Sequence, residues 1–211
     1  MRILILLFFT LSSFAQNNDH RLAYQYYING DYEKAVILYE EINKKSFSLN
    51  TYNPFFTSLI NLNRFSEAEK IARKQYSKNN ARLNFFADLI IAQIKLDQKN
   101  KYRFNLKKII KKINGRNSQV IQIANRFQLF EMYSVALEIY EKSSEINNNY
   151  QYDLQKAQLY GLLGNDELMI NKNVDYLLRN PNQKKVVFSN IQRYIDNNGI
   201  ENNNNYLIVK K

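Results

Sequence analysis

The chain has 211 residues, a formal net charge of +11 at pH 7, no cysteine and one histidine, with a mean hydropathy of −0.51. These values exclude disulfides, thiolate metal centres and histidine-cluster metal sites, and the length lets a hydrophobic core hold the fold without staples. The positive balance favours acidic partners, namely nucleic acid, anionic lipid, an anionic polymer or an acidic protein.

The first residues read MRILILLFFTLSSFAQ: Arg2, an apolar run from Ile3 to Phe9, and small residues at Ser13 and Ala15. That order is a secretory signal peptide, residues 1–15, with cleavage after Ala15. The run is interrupted by Thr10, Ser12 and Ser13, and a spanning helix needs about 20 apolar residues, so a membrane anchor fits less well. Without a cysteine at the cleavage site the signal is not of the lipoprotein kind. The expected location is therefore periplasmic or secreted, and export argues against nucleic acid as the acidic partner.

From Asp19 the apolar positions follow helical spacing up to Ile28, a turn follows at Asn29 and Gly30, and a second helical pattern begins at Tyr32. Ala35 in this second helix recurs as Ala68, 33 residues on, and as Ala136 and Met169, with the skipped step falling near Tyr102. Five residues before each of these stands a turn residue: Gly30, Asn63, Asp97, Glu131 and Gly164. Twelve residues before them, Ala23, Ala124 and Ala157 put a small residue on the preceding helix at the same height. Antiparallel helices approach closely only where side chains are small, so each aligned pair marks a helical hairpin. Tyr32 and Tyr39 are expected to fill the gap to the next unit.

The third hairpin keeps a helical core stripe of Leu106, Ile109, Ile110 and Ile113 but has Tyr102 at the small place. Opposite that stripe stand Lys108, Lys111 and Lys112, with Lys107 at the flank and Arg116 just beyond. This basic stripe reads either as an ordinary solvated helix face or as a docking surface for an acidic partner. After Pro181, the segment Gln183 to Ile195 is a helix that caps the last exposed face. The Asn-rich remainder, 197–211, has no period and reads as a loop ending in a more apolar YLIVKK.

A period of 34 with this pattern resembles the tetratricopeptide repeat family over roughly residues 18 to 181. The fourth unit carries it best, with Val120, Ile123, Ala124, Phe127, Ala136 and Tyr140, and the first supplies Leu22, Ala23, Tyr26, Gly30, Tyr32, Ala35 and Tyr39. The second is looser, with Phe56 at the small place, and the fifth adds Ala157, Tyr160, Gly164 and a closing Pro181. The resemblance implies an all-α, right-handed α-solenoid of about five helix-turn-helix repeats plus a capping helix, spanning residues 16–196. It also implies that the first helix of each repeat lines a concave ligand face. Carried over place by place, that face holds Tyr24, Tyr27, Asn53, Thr57, Asn125, Gln128 and Gln158, with His20, Ile60 and Ile121 at neighbouring inward places. Amides, hydroxyls and tyrosines suit a peptide backbone or a sugar. The lysine–asparagine clamp of chaperone-tail receptors is absent, because Ile121 stands where its lysine would be.

Nothing in the sequence calls for a catalyst. His20 has no visible partner and reads as a solvated first-turn residue, five glycines leave no phosphate-cradling loop, and Glu40, Glu41, Glu138, Glu141 and Glu145 fall on solvated helix faces. No cofactor or metal is implied. The expected function is a non-catalytic interaction scaffold of the cell envelope that binds a peptide or helix of another protein. The alternative is a module that binds an anionic envelope polymer or membrane surface through Lys107, Lys108, Lys111 and Lys112.

Overall fold

The computed structural model describes residues 19–197, so the signal segment and the Asn-rich tail beyond residue 197 lie outside it. Helix α1 occupies residues 19–28. There follow α2 (Tyr32–Lys45), α3 (Leu49–Asn61), α4 (Phe65–Lys78), α5 (Leu83–Lys95), α6 (Lys99–Ile113), α7 (Asn117–Gln128), α8 (Tyr133–Ile146), α9 (Asp153–Leu162), α10 (Asp166–Arg179) and α11 (Lys184–Asn197). A single 3₁₀ turn, Pro181–Gln183, introduces α11, and no strand occurs among the described residues. The backbone groups into two compact units, one ending at Ile109 and one starting at Ile110.

The turn positions recur in the backbone itself. Gly30, Asn63, Asp97, Glu131 and Gly164 have φ of 80°, 57°, 52°, 59° and 72°, all left-handed. Each donates its N–H to the carbonyl three residues back, and the next residue donates to the carbonyl five back. Thus Gly30 bonds Tyr27 and Asp31 bonds Tyr26, while Glu131 bonds Gln128 and Met132 bonds Phe127. This paired ending satisfies helix-terminal carbonyls that would otherwise lack partners, and it requires one residue to enter the left-handed region. One turn geometry therefore joins α1 to α2, α3 to α4, α5 to α6, α7 to α8 and α9 to α10.

The expected small contacts are in place. Ala23, Ala35, Ala68, Ala124 and Ala136 are fully buried, Ala157 and Met169 nearly so, and Phe56 takes its small place fully buried. Tyr102, at the marker place of the third hairpin, is only half-buried. The described residues are thus all-α and built of helical hairpins in consecutive order.

In the first unit α2 packs on α3, α3 on α4 and α4 on α5. Their shared core is aromatic: Phe85 meets Tyr52 edge-on at 4.8 Å, and Tyr52 stacks on Phe56 at 6.0 Å. Each fully buried ring contributes roughly 1.5–3 kcal/mol. Helix α5 is apolar nearly all round and is buried from Phe85 to Gln93. In the second unit α7 packs on α8, α8 on α9, α9 on α10, and α11 on both α10 and α9. The core of α6 is the stripe read from the sequence, with Leu106, Ile109 and Ile113 fully buried and Ile110 nearly so.

Tyr32 and Tyr39 are placed otherwise than expected. The Tyr32 ring lies 6.2 Å from that of Tyr27, and the Tyr39 ring lies edge-on to His20 at 6.3 Å, both partners being on α1. The two tyrosines therefore close their own hairpin. His20 is correspondingly half-buried against an aromatic edge, not a solvated first-turn residue.

Candidate functional site

The residues expected on the ligand face are all at least partly accessible. Tyr24, Asn53, Asn125 and Gln158 are exposed, and Tyr27, Thr57 and Gln128 are half-buried. Their helical spacing explains this: Asn53 and Thr57 are one turn apart on α3, opposite the buried Phe55 and Leu59. Tyr24 and Tyr27 tilt against each other at 6.1 Å, and Gln128 Nε2 donates to Asn125 Oδ1 at 3.1 Å. Ile60 departs from the expectation: it is buried and belongs to the core.

Two clefts add residues that periodicity alone did not single out. In the second unit a cleft of about 370 Å³ opens between α9, α10 and α11, and Gln158 lines it together with Leu154, Met169, Asn173, Arg193 and Tyr194. Gly161 of α9 lets α11 approach, for a Cβ there would stand 2.8 Å from the Tyr194 ring. Tyr194 is held at its other end by donating its hydroxyl to Asp166 Oδ1 at 2.5 Å. Burial first, and then the Asp166 carboxylate, push the Tyr194 phenol up to about 12. In the first unit a cleft of about 450 Å³ has Tyr52, Phe55 and Leu59 at its base and Lys44, Lys70 and Lys74 among its charged lining residues.

Helix α6 carries the basic stripe. Lys107, Lys108, Lys111 and Lys112 are all exposed, as are Lys99, Lys101 and Arg103 on the same helix, which contains no acidic residue. Lys108 Nζ lies 4.2 Å from the Phe104 ring centre, and Phe104 is itself 59% exposed. Arg116 is turned back on the helix end, donating to the carbonyls of Ile113 and Lys112 at 3.1 and 2.9 Å. It caps the negative end of the helix dipole.

Among buried polar groups, Lys156 Nζ donates to Ser144 Oγ at 3.1 Å. Burial above all holds this ammonium below its ordinary pKa. A serine beside a lysine of lowered pKa has the elements of a nucleophile and a base. Here, however, Ser144 Oγ also donates to the Tyr140 carbonyl at 2.9 Å, and neither side chain lines either cleft. The pair joins α8 to α9. Asp153 completes the neighbourhood with a two-pronged contact from Arg179 at 2.7 and 3.3 Å. No group of three or more His, Cys, Asp or Glu among the described residues is arranged to hold a metal ion. No helix among them is long and apolar enough to cross a membrane.

No family model matches the chain, and no curated protein matches it. Among solved structures it is similar to TTC0263, a thermophilic TPR protein in Thermus thermophilus, at 16% identity over 86% of this chain and 97% of that one, with a TM-score of 0.49. It is also similar to the MamA protein, at 14% identity over 81% of this chain and 94% of that one, with a TM-score of 0.46.

Proposed function

We propose that the chain is a non-catalytic protein-interaction module of the bacterial cell envelope, gripping an extended peptide or a helix of another protein along the first helices of its hairpins. The observation that carries this is the recurrence of accessible tyrosine, amide and hydroxyl groups on first helices within each unit: Tyr24 and Tyr27 on α1 with Asn53 and Thr57 on α3 in the first, and Asn125 and Gln128 on α7 in the second. Such groups hydrogen-bond a backbone and stack on apolar side chains without demanding one sequence. Export rests on the opening segment alone, where Arg2, the apolar run and Ala15 have the order of a cleaved signal.

A second reading has its own observation: the seven cations of α6 are exposed and no acid shares the helix with them. It makes the chain a module for an anionic polymer or membrane surface. Salt separates the two, because exposed charges are screened within about 10 Å at 0.1 M ionic strength whereas buried apolar and hydrogen-bonded contacts are not. The purified chain is used as bait in envelope extract and washed at low and then high salt. A defined protein retained at high salt supports the module reading. Release of everything at high salt, with only polymer or lipid in the eluate, overturns it in favour of the α6 reading.

A further inference from the structure

We infer that helix α6 seats the chain on the surface of an anionic lipid bilayer, with the Phe104 ring entering the bilayer interface among the lysines. The inference rests on the second reading above, deepens it by choosing a membrane over a soluble polymer, and uses no first-helix residue.

Phe104 carries the argument. It lies on α6 on the side away from the buried stripe of Leu106, Ile109 and Ile113. Lys101 stands three residues before it, and Lys107, Lys108 and Lys111 stand three, four and seven after it, spacings that share one helix face. All of these lysines are exposed. The ring is thus an apolar group at the centre of a basic face. Lys108 Nζ covers it from 4.2 Å, yet Phe104 remains 59% exposed.

The charge around the ring is unanswered within the protein. The second helices of the other hairpins each hold an ion pair of their own: Glu40–Lys44 in α2, Glu69–Arg73 in α4, Lys142–Glu145 in α8 and Lys172–Asp175 in α10. Helix α6 has no acid with which to make one, and none of its lysines is ion-paired among the described residues.

The kind of cation and the exposed ring together select the anion. An acidic protein is best matched by arginine forks, whereas all but Arg103 of these cations are lysines, hydrated point charges on flexible stems that suit a diffuse negative surface. A soluble polyanion would neutralise the lysines but give Phe104 nothing apolar to enter. An anionic bilayer answers both. Its headgroups attract clusters of about 4–8 Lys or Arg, and its interface takes an aromatic ring while lysine stems lie along apolar surface with their ammonium groups in water.

The chain contains no tryptophan, so Phe104→Trp places a single indole at the site. The full chain with this change is titrated with phosphatidylcholine vesicles, with the same vesicles containing about 30% phosphatidylglycerol, and with dextran sulfate, a polyanion without apolar surface. The expected result is a blue shift of emission and quenching by bromine-labelled acyl chains with the anionic vesicles alone, reversed by salt. This readout is local to residue 104, so attachment through the apolar run from Ile3 to Phe9 does not produce it. In co-sedimentation, Phe104→Ala cuts the preference for anionic over neutral vesicles by about ten-fold and Phe104→Leu restores most of it. Dextran sulfate binds wild type and both variants alike. Lys108→Glu with Lys111→Glu removes binding to anionic vesicles and to dextran sulfate, and the melting temperature holds because the changed positions are exposed. Emission that anionic vesicles leave unmoved, or an undiminished preference in Phe104→Ala, overturns the inference. If dextran sulfate still binds in that case, the second reading stands as a polymer module; if it does not, that reading falls as well.

Discussion

Glu69 of α4 and Gln93 of α5 meet inside the first unit. Gln93 Nε2 donates to Glu69 Oε1 at 3.4 Å, while Gln93 Oε1 accepts from Asn105 Nδ2 of α6 at 2.9 Å. Gln98 donates to the other Glu69 oxygen at 3.2 Å, and Arg73 pairs with the same carboxylate. Burial pushes the Glu69 carboxyl up, but the donors from Arg73, Gln93 and Gln98 together outweigh it, leaving the group below its ordinary value. A depressed carboxyl contributes stability that is present above the unfolded value of 4.5 and lost as pH falls through the folded one. Glu69→Ala should therefore cost about 1–3 kcal/mol at neutral pH and flatten the acid side of the stability profile. Denaturant unfolding at a series of pH values measures both.

The five left-handed turns differ in what they tolerate. Glu131 sits at φ 59° with a full side chain, a conformation that costs roughly 1–2 kcal/mol, against roughly 0.5–1 kcal/mol of extra chain entropy for glycine. Glu131→Gly should raise stability by about 0.5–1 kcal/mol. Gly164, at φ 72° with open space around its missing Cβ, should lose about 1 kcal/mol on change to Ala, purely from backbone strain. Thermal melts of the two variants should move in opposite directions.

Gly115 is constrained by space as well as by φ. It has φ 64°, and a Cβ there would stand 2.6 Å from the Asn147 Cβ, a contact that no side-chain rotation relieves. Asn147 Nδ2 also donates to the Gly115 carbonyl at 3.2 Å. Gly115→Ala should cost more than Gly164→Ala, about 2 kcal/mol or above, and the difference between their melting midpoints is the readout.

Lys156 sets a pH dependence of its own on the alkaline side. Its folded pKa lies below the unfolded 10.5, through burial first and Lys172 next, so the unfolded chain binds the extra proton. Stability from this group therefore rises with pH between the folded value and 10.5, and at neutral pH the buried ammonium is a net cost. Lys156→Met should be neutral or stabilising by about 1 kcal/mol, since Ser144 keeps its bond to the Tyr140 carbonyl. The gain should shrink towards pH 10.5. The wild-type-minus-variant profile isolates this effect from Tyr140, whose phenol is pushed up to about 12 by burial and Tyr152.

The sequence carried the hairpins because their constraint is local and periodic. Small residues must recur where helices cross, so Ala23, Ala35, Ala68, Ala124 and Ala136 could be picked out and are fully buried. The turn residues were equally legible as positions, though Asp97 and Glu131 conceal their left-handed backbone behind ordinary side chains. Tyr32 and Tyr39 were misdirected because periodicity gives a helix face and not the neighbour it meets. The Glu69–Gln93–Asn105 chain likewise joins three helices through residues that each read as an ordinary surface amide or acid.

The most direct measurement is site-specific photo-crosslinking in envelope extract, with a photoreactive residue placed in turn at Tyr24, Asn125 and Gln158 on first helices, at Lys108 and Lys111 on α6, and at Lys142 on α8. The account predicts adducts to one protein partner from the first-helix positions, persisting at high salt and absent from Lys142. Adducts confined to the α6 positions and lost with salt, or no first-helix adducts at all, would contradict it.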